Sequence, residues 1–258
     1  NSELTEVYIR AVVHHQKGDL EVAENFYKKI LEKLPNHINA QSNLGGLYAQ
    51  KGKSKKAMSL LQNVLKVEPN NINANENLGV VFTQLTEYQQ AIECHKKVIQ
   101  IDSNHSDAHN NLAINYKQLG ESDLAKNYFQ KAIEINPNNE NAYNNLGTLL
   151  SSLGEYKKAQ YALKKALEIK PNFFKARANL SNTYLHQSDN FEKSVTESHK
   201  ALKTHFTISK IYSRSVPLFR LKHDVEQSEY LKSKNYKING LNEFFDIGKE
   251  ILSRKENE

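Results

Sequence analysis

Residues Tyr143–Pro171 read YNNLGTLLSSLGEYKKAQYALKKALEIKP. The apolar residues Ala142, Leu146, Leu149 and Leu153 recur at helical spacing and predict one amphipathic helix. Gly154 follows that stripe, where a residue able to enter the left-handed region ends a helix. A second helix of about 14 residues is predicted to run up to Pro171, which cannot continue one. The same pattern extends in both directions along the 258-residue chain. Ala23, Ala57, Ala91, Ala125 and Ala159 form one column, and Leu44, Leu78, Leu112, Leu146 and Leu180 another. Gly45, Gly79 and Gly147 follow three of the leucines, with Ala113 and Ser181 in the equivalent places. Gly18, Gly52, Gly120 and Gly154 are in phase, with Thr86 in the fifth slot, and Pro35, Pro69, Pro137 and Pro171 with Ser103.

A period of this length, with L-G, Y, A, F and P at these offsets, resembles the tetratricopeptide repeat (TPR) family. The position where that family often carries Trp is here Val7, Gln41, Asn75, His109, Tyr143 and Arg177. The resemblance implies an all-α fold, a right-handed α-α superhelix or solenoid of about six units. No unit can bury its apolar face alone, so neighbours must stack, and small residues in the Gly45 and Ala57 columns let paired helices approach. The array is expected over residues 1–206, with repeats starting near 4, 38, 72, 106, 140 and 174. The sixth unit departs from the pattern, with one extra residue between Tyr184 and Ala201 and Phe206 where a closing proline would stand. Residues 207–217 read as an extended connector and 218–258 as C-terminal helices that cap the array or lead to a further domain.

Composition narrows the function. A mean hydropathy of −0.70 and the absence of a long apolar run exclude a membrane span. The single cysteine, Cys94, excludes a disulfide framework. The net charge of +6 rests on 35 Lys and Arg, of which 30 are Lys, and Asn also occurs 30 times. Scarce Arg argues against a nucleic-acid groove, which uses the bidentate guanidinium. No nucleic-acid partner, membrane, metal or cofactor is therefore expected, and a cytoplasmic location is.

The informative column is polar. Asn43, Asn77, Asn111, Asn145 and Asn179 lie at the repeat spacing, each directly before a column leucine. Asn is a mediocre interior helix residue, so five in register need a reason beyond composition. Four residues earlier stand Asn39, Asn73, Asp107, Asn141 and Lys175, and seven later Gln50, Gln84 and Gln118, on the same helix face. A carboxamide both donates and accepts, so it can grip a peptide unit through its N–H and C=O. The column resembles the asparagine ladder of the TPR superhelix in the O-linked N-acetylglucosamine transferase family, in which this face of the first helix lines the concave groove. These ten residues form the expected peptide-binding set. The alternative is that the asparagines satisfy hydrogen bonds within the protein.

Other features read as architecture. Lys28-Lys29, Lys96-Lys97 and Lys164-Lys165 predict a solvated outer face. His105, Asp107 and His109 straddle a loop and a helix start, where Asp107 is expected to cap the helix. Cys94, beside His95, is expected to be a buried, inert thiol. No nucleophile-elbow, zinc-helix, dinucleotide or P-loop motif occurs. The leading expectation is a non-catalytic scaffold binding an extended peptide in its groove. A second reading is the substrate-recruiting arm of a larger enzyme, because Pro217–Asp224 with Glu226-Gln227 and Tyr230-Leu231 resembles linkers that join TPR arrays to glycosyltransferases or 2-oxoglutarate oxygenases. A third is self-association through the convex face or the exposed apolar ends of the array. The connector, carrying Lys210 and Arg214, is also a candidate to fold into the groove.

Overall fold

The phased glycines join the two helices of each pair, each sitting where the backbone turns left-handed. Gly52 has φ +68° and Gly154 φ +76°, and Thr86, a β-branched residue, is held at φ +62° in the same slot. The computed structural model describes residues 2–186 together with Lys193, Thr196, Glu197 and Lys200. The described helices are α1 (Ser2–Lys17), α2 (Leu20–Lys33), α3 (Ile38–Gln50), α4 (Ser54–Val67), α5 (Ile72–Gln84), α6 (Tyr88–Ile101), α7 (Ser106–Gln118), α8 (Ser122–Ile135), α9 (Glu140–Ser152), α10 (Tyr156–Ile169) and α11 (Phe174–Leu185). Among the described residues there is no strand, and no helix long and apolar enough to cross a membrane. The fold is an all-α helical repeat of the solenoid class. The irregular stretch 187–191, the connector 207–217 and the C-terminal helices expected in 218–258 lie outside the described residues.

The chain divides into two compact units, Asn1–Pro137 and Asn138–Glu258. In the first unit, α1 with α2, α3 with α4, α5 with α6 and α7 with α8 form hairpins. Within this unit α2 also packs on α3, α4 on α5 and α6 on α7, and successive first helices α1, α3, α5 and α7 touch. In the second unit α9 pairs with α10, and α11 packs on both.

The core follows the columns. Ala23, Ala57, Ala91, Ala125 and Ala159 are wholly buried, as are Leu44, Leu78, Leu112, Leu146 and Leu180 to within a few per cent. The small-residue slot is tight: a Cβ on Gly45 would stand 2.7 Å from Leu61, and one on Gly147 2.6 Å from Leu163. The second helices end in step with or without proline. α6 stops at Ile101 before Ser103, just as α4 stops at Val67 before Pro69. Proline thus reinforces a boundary that the packing already sets.

One core expectation fails. Leu153 is 45% exposed, because it is the C-cap residue beyond α9 and has left the stripe that Leu146 and Leu149 bury. Leu85 and Leu119, the equivalent C-caps of α5 and α7, are exposed likewise.

Candidate functional site

The first helices are set by a capping column that alternates in chemistry. His37, Asn71, His105 and Asn139 each accept a hydrogen bond from the backbone N–H three residues on, of Ala40, Ala74, Ala108 and Ala142, at 3.0–3.2 Å. The expectation that Asp107 caps α7 is therefore wrong. His105 Nδ1 does so, and Asp107 lies in the first turn, where its charge suits the helix N-terminus.

A further column fastens the loop before each first helix. Gln41 donates to Pro35 O at 2.7 Å, Asn75 to Pro69 O at 3.1 Å, His109 Nε2 to Ser103 O at 3.0 Å and Arg177 to Pro171 O at 2.7 Å. These are four of the six positions where the repeat signature departs from Trp. Four different side chains reach one carbonyl six residues back, so the signal is a shared donor rather than a shared residue.

With the helices so placed, the outer row of the expected set, Asn39, Asn73, Asp107, Asn141 and Lys175, is exposed on the first turns. Asn39, Asn73 and Asn141 have no side-chain partner among the described residues. The inner row, Asn43, Asn77, Asn111, Asn145 and Asn179, is half-buried throughout, and its members are not equivalent. In the first unit Asn43 Nδ2 donates to Tyr8 Oη at 3.0 Å, across to the preceding first helix. Asn111 Oδ1 accepts from its neighbour Asn110 at 3.4 Å, and its main-chain O accepts from Asn115 at 2.8 Å. The Asn77 side chain has no hydrogen-bond partner among the described residues, and its carboxamide lies 2.7–3.1 Å from where a Cβ on Gly46 would be. In the second unit Asn145 Oδ1 accepts from Asn144 at 3.3 Å. Asn179 Nδ2 donates to Asn144 Oδ1 at 2.9 Å and to Thr148 Oγ1 at 3.1 Å. Asn43 and Asn179 thus spend their amides on the preceding first helix.

The rest of this face carries little charge. Gln84 donates to Ala49 O at 3.2 Å. Thr83 Oγ1 donates to Asn115 Oδ1 at 2.9 Å, again joining successive first helices. Lys117 is half-buried, and burial lowers its ammonium pKa. Burial raises the Glu76 carboxyl pKa, while His105, whose Nε2 stands 3.7 Å away, pulls it down. Among the described residues no group of three or more His, Cys, Asp or Glu is placed to hold a metal. Cys94 is only partly buried, and its thiol is pushed up to about 11 by the burial it has.

His95 went unread in the sequence. It occupies the slot that Tyr27, Leu61, Phe129 and Leu163 fill in other repeats, is wholly buried, and has no partner for either ring nitrogen. Its position in that 34-residue column was the available signal.

Models of the tetratricopeptide repeat match residues 14–76, 70–138 and 128–161. The chain belongs to the tetratricopeptide repeat family, whose members are in general non-catalytic protein-interaction scaffolds. Among solved structures it is similar to MamA, at 29% identity over 65% of this chain and 97% of that one, with a TM-score of 0.55. The thermophilic TPR protein TTC0263 of Thermus thermophilus shares the fold at 18% identity, over 70% and 99% of the two chains, with a TM-score of 0.64. So does YrrB, described as a TPR protein with an unusual peptide-binding site, at 22% identity over 69% and 91%, with a TM-score of 0.51. No curated protein matches the sequence.

Proposed function

We propose that the chain is a non-catalytic scaffold that holds an extended polypeptide along the asparagine-bearing face of its first helices and grips the ligand's main chain. The observation that carries this reading is the outer row: Asn39 and Asn73 in the first unit, and Asn141 at the same place of its repeat in the second, are exposed and without side-chain partners among the described residues. Packed helices lie about 8–10 Å apart, which is near three residues of an extended chain at about 3.3 Å each. Successive carboxamides therefore meet the ligand at intervals an extended backbone can match. A nearly neutral face favours a partner recognised through its peptide units rather than its charges. The hydrogen bonds of Asn43 and Asn179 within the protein assign those two side chains to helix spacing as well as to the face. YrrB, with its peptide-binding site, offers a precedent for the fold in this role.

The test begins with an array of 12-residue peptides, whose tightest binder is labelled for anisotropy titration. The triple variant Asn39→Ala, Asn73→Ala, Asn141→Ala should weaken binding by at least about tenfold, since each lost hydrogen bond is worth roughly 1 kcal/mol. Helicity should be unchanged, because all three side chains are exposed. Equal affinity for the wild type and the triple variant refutes the reading.

A further inference from the structure

Resting on that reading, we infer that Asn77 is the anchoring contact of the face, and that Gly46 and Ser42 on the preceding first helix are what leave it available. The residues 31 and 35 places before an inner-row asparagine belong to the preceding first helix. For Asn179 these are Thr148 and Asn144, and its amide donates to both. For Asn43 the residue 35 earlier is Tyr8, whose hydroxyl takes the amide. For Asn77 they are Gly46 and Ser42. Gly46 has no side chain to offer, and the Asn77 carboxamide occupies the space a Cβ would take. Ser42 is buried, and its Oγ has no hydrogen-bond partner. A serine at this position is shorter than Tyr8 or Asn144, and the bond found at the equivalent steps is not made.

The step from α3 to α5 therefore holds a half-exposed carboxamide with two donor hydrogens and an acceptor oxygen uncommitted. Ser42 on the preceding first helix adds an unsatisfied buried hydroxyl, which favours any arrangement supplying a partner. An extended ligand crossing this step can give Asn77 both the N–H and the C=O of one residue. Asn179, with both amide hydrogens engaged, must first give up a bond it already has, and Asn43 has one of its two engaged by Tyr8. Asn111 and Asn145 each carry an interaction with the asparagine before them. Asn77 thus fixes the register of the bound chain, and Asn39 and Asn73 of the same unit extend the grip.

The experiment uses the same array-selected 12-residue peptide, with a set of versions each N-methylated at one residue. Asn77→Ala is expected to weaken binding by about tenfold, the worth of a two-bond grip. Asn43→Ala should lower thermal stability through Tyr8 and change affinity by less than about threefold. Gly46→Ala places a methyl group 2.7 Å from Asn77 Nδ2, and should weaken binding with Asn77 still present. One N-methylated position should lose affinity for the wild type but not for Asn77→Ala, locating the gripped residue. If Asn43→Ala costs as much as Asn77→Ala, or if no N-methylated position depends on Asn77, the anchor assignment is overturned. The outer-row triple variant keeps the two claims apart: loss there with Asn77→Ala silent removes the anchor alone, and silence in both removes the face.

Discussion

Gly79 and His95 face each other so closely that a Cβ on the glycine would lie 2.6 Å from the imidazole Cε1. The ring fills the core slot without a hydrogen bond to either nitrogen, so its environment tolerates only the neutral form.

Burial, with a smaller contribution from the charge of His105, pushes the His95 pKa down to about 4. The unfolded chain takes up this proton near its ordinary 6.5, so the contribution to stability is complete above that pH. It is lost as the pH falls from about 6.5 to about 4, and amounts to about 3 kcal/mol. Glu76 acts in the opposite sense, because its raised pKa lets the folded form protonate first. We expect His95→Leu, which places the residue of Leu61 and Leu163 in this slot, to remove most of the difference between urea midpoints at about pH 7.5 and about pH 4.5. An unchanged pH dependence in the variant would assign the acid sensitivity elsewhere.

Thr86 performs a glycine's turn at φ +62°. Left-handed backbone costs a non-glycine residue about 1–2 kcal/mol, partly offset by the entropy a glycine loses on folding. Thr86→Gly should raise the melting temperature by roughly 2–4 °C, and Gly52→Thr should lower it. A calorimetric scan in which Thr86→Gly melts no higher would show that the turn is relaxed as it stands.

Glu24 ties α2 to α3. Its carboxylate accepts from Lys28 at 2.8 Å, from Lys51 at 2.7 Å and from Tyr48 Oη at 3.3 Å. The Lys28 and Lys51 hydrogen bonds hold its pKa down to about 2. That stability is present above the ordinary carboxylate value of 4.5 and disappears as the pH falls toward 2. Glu24→Gln should cost about 1–2 kcal/mol near neutral pH, with the gap to the wild type closing as both are denatured at about pH 3 and below. A gap of constant size down to about pH 2 would show that the carboxylate's charge is not what holds the two helices.

Much of the fold was legible because backbone requirements repeat with the period. A left-handed turn calls for glycine at Gly18, Gly52, Gly120 and Gly154, and close helix packing calls for Gly45, Gly79 and Gly147. Functions that several side chains can perform were not legible. An imidazole and a carboxamide cap equally well at His105 and Asn139, so the capping column did not read as one. The candidate face stood between these cases. Its asparagine column was visible at once, but the direction each carboxamide takes depends on which residues stand 31 and 35 places earlier. Tyr8 draws Asn43 inward, while Gly46 and Ser42 leave Asn77 alone. Leu153 was misplaced for a related reason, since helical periodicity cannot say at which residue the helix has ended.

The bond from Asn75 to Pro69 O, with its counterparts at Gln41, His109 and Arg177, joins a donor and an acceptor only six residues apart. Each such fastening crosses the seam between two repeats, from the closing loop of one to the first helix of the next. Because donor and acceptor keep the same six-residue separation at every such seam, a gene that gained or lost one in-frame repeat would rejoin a donor to an acceptor at the new junction.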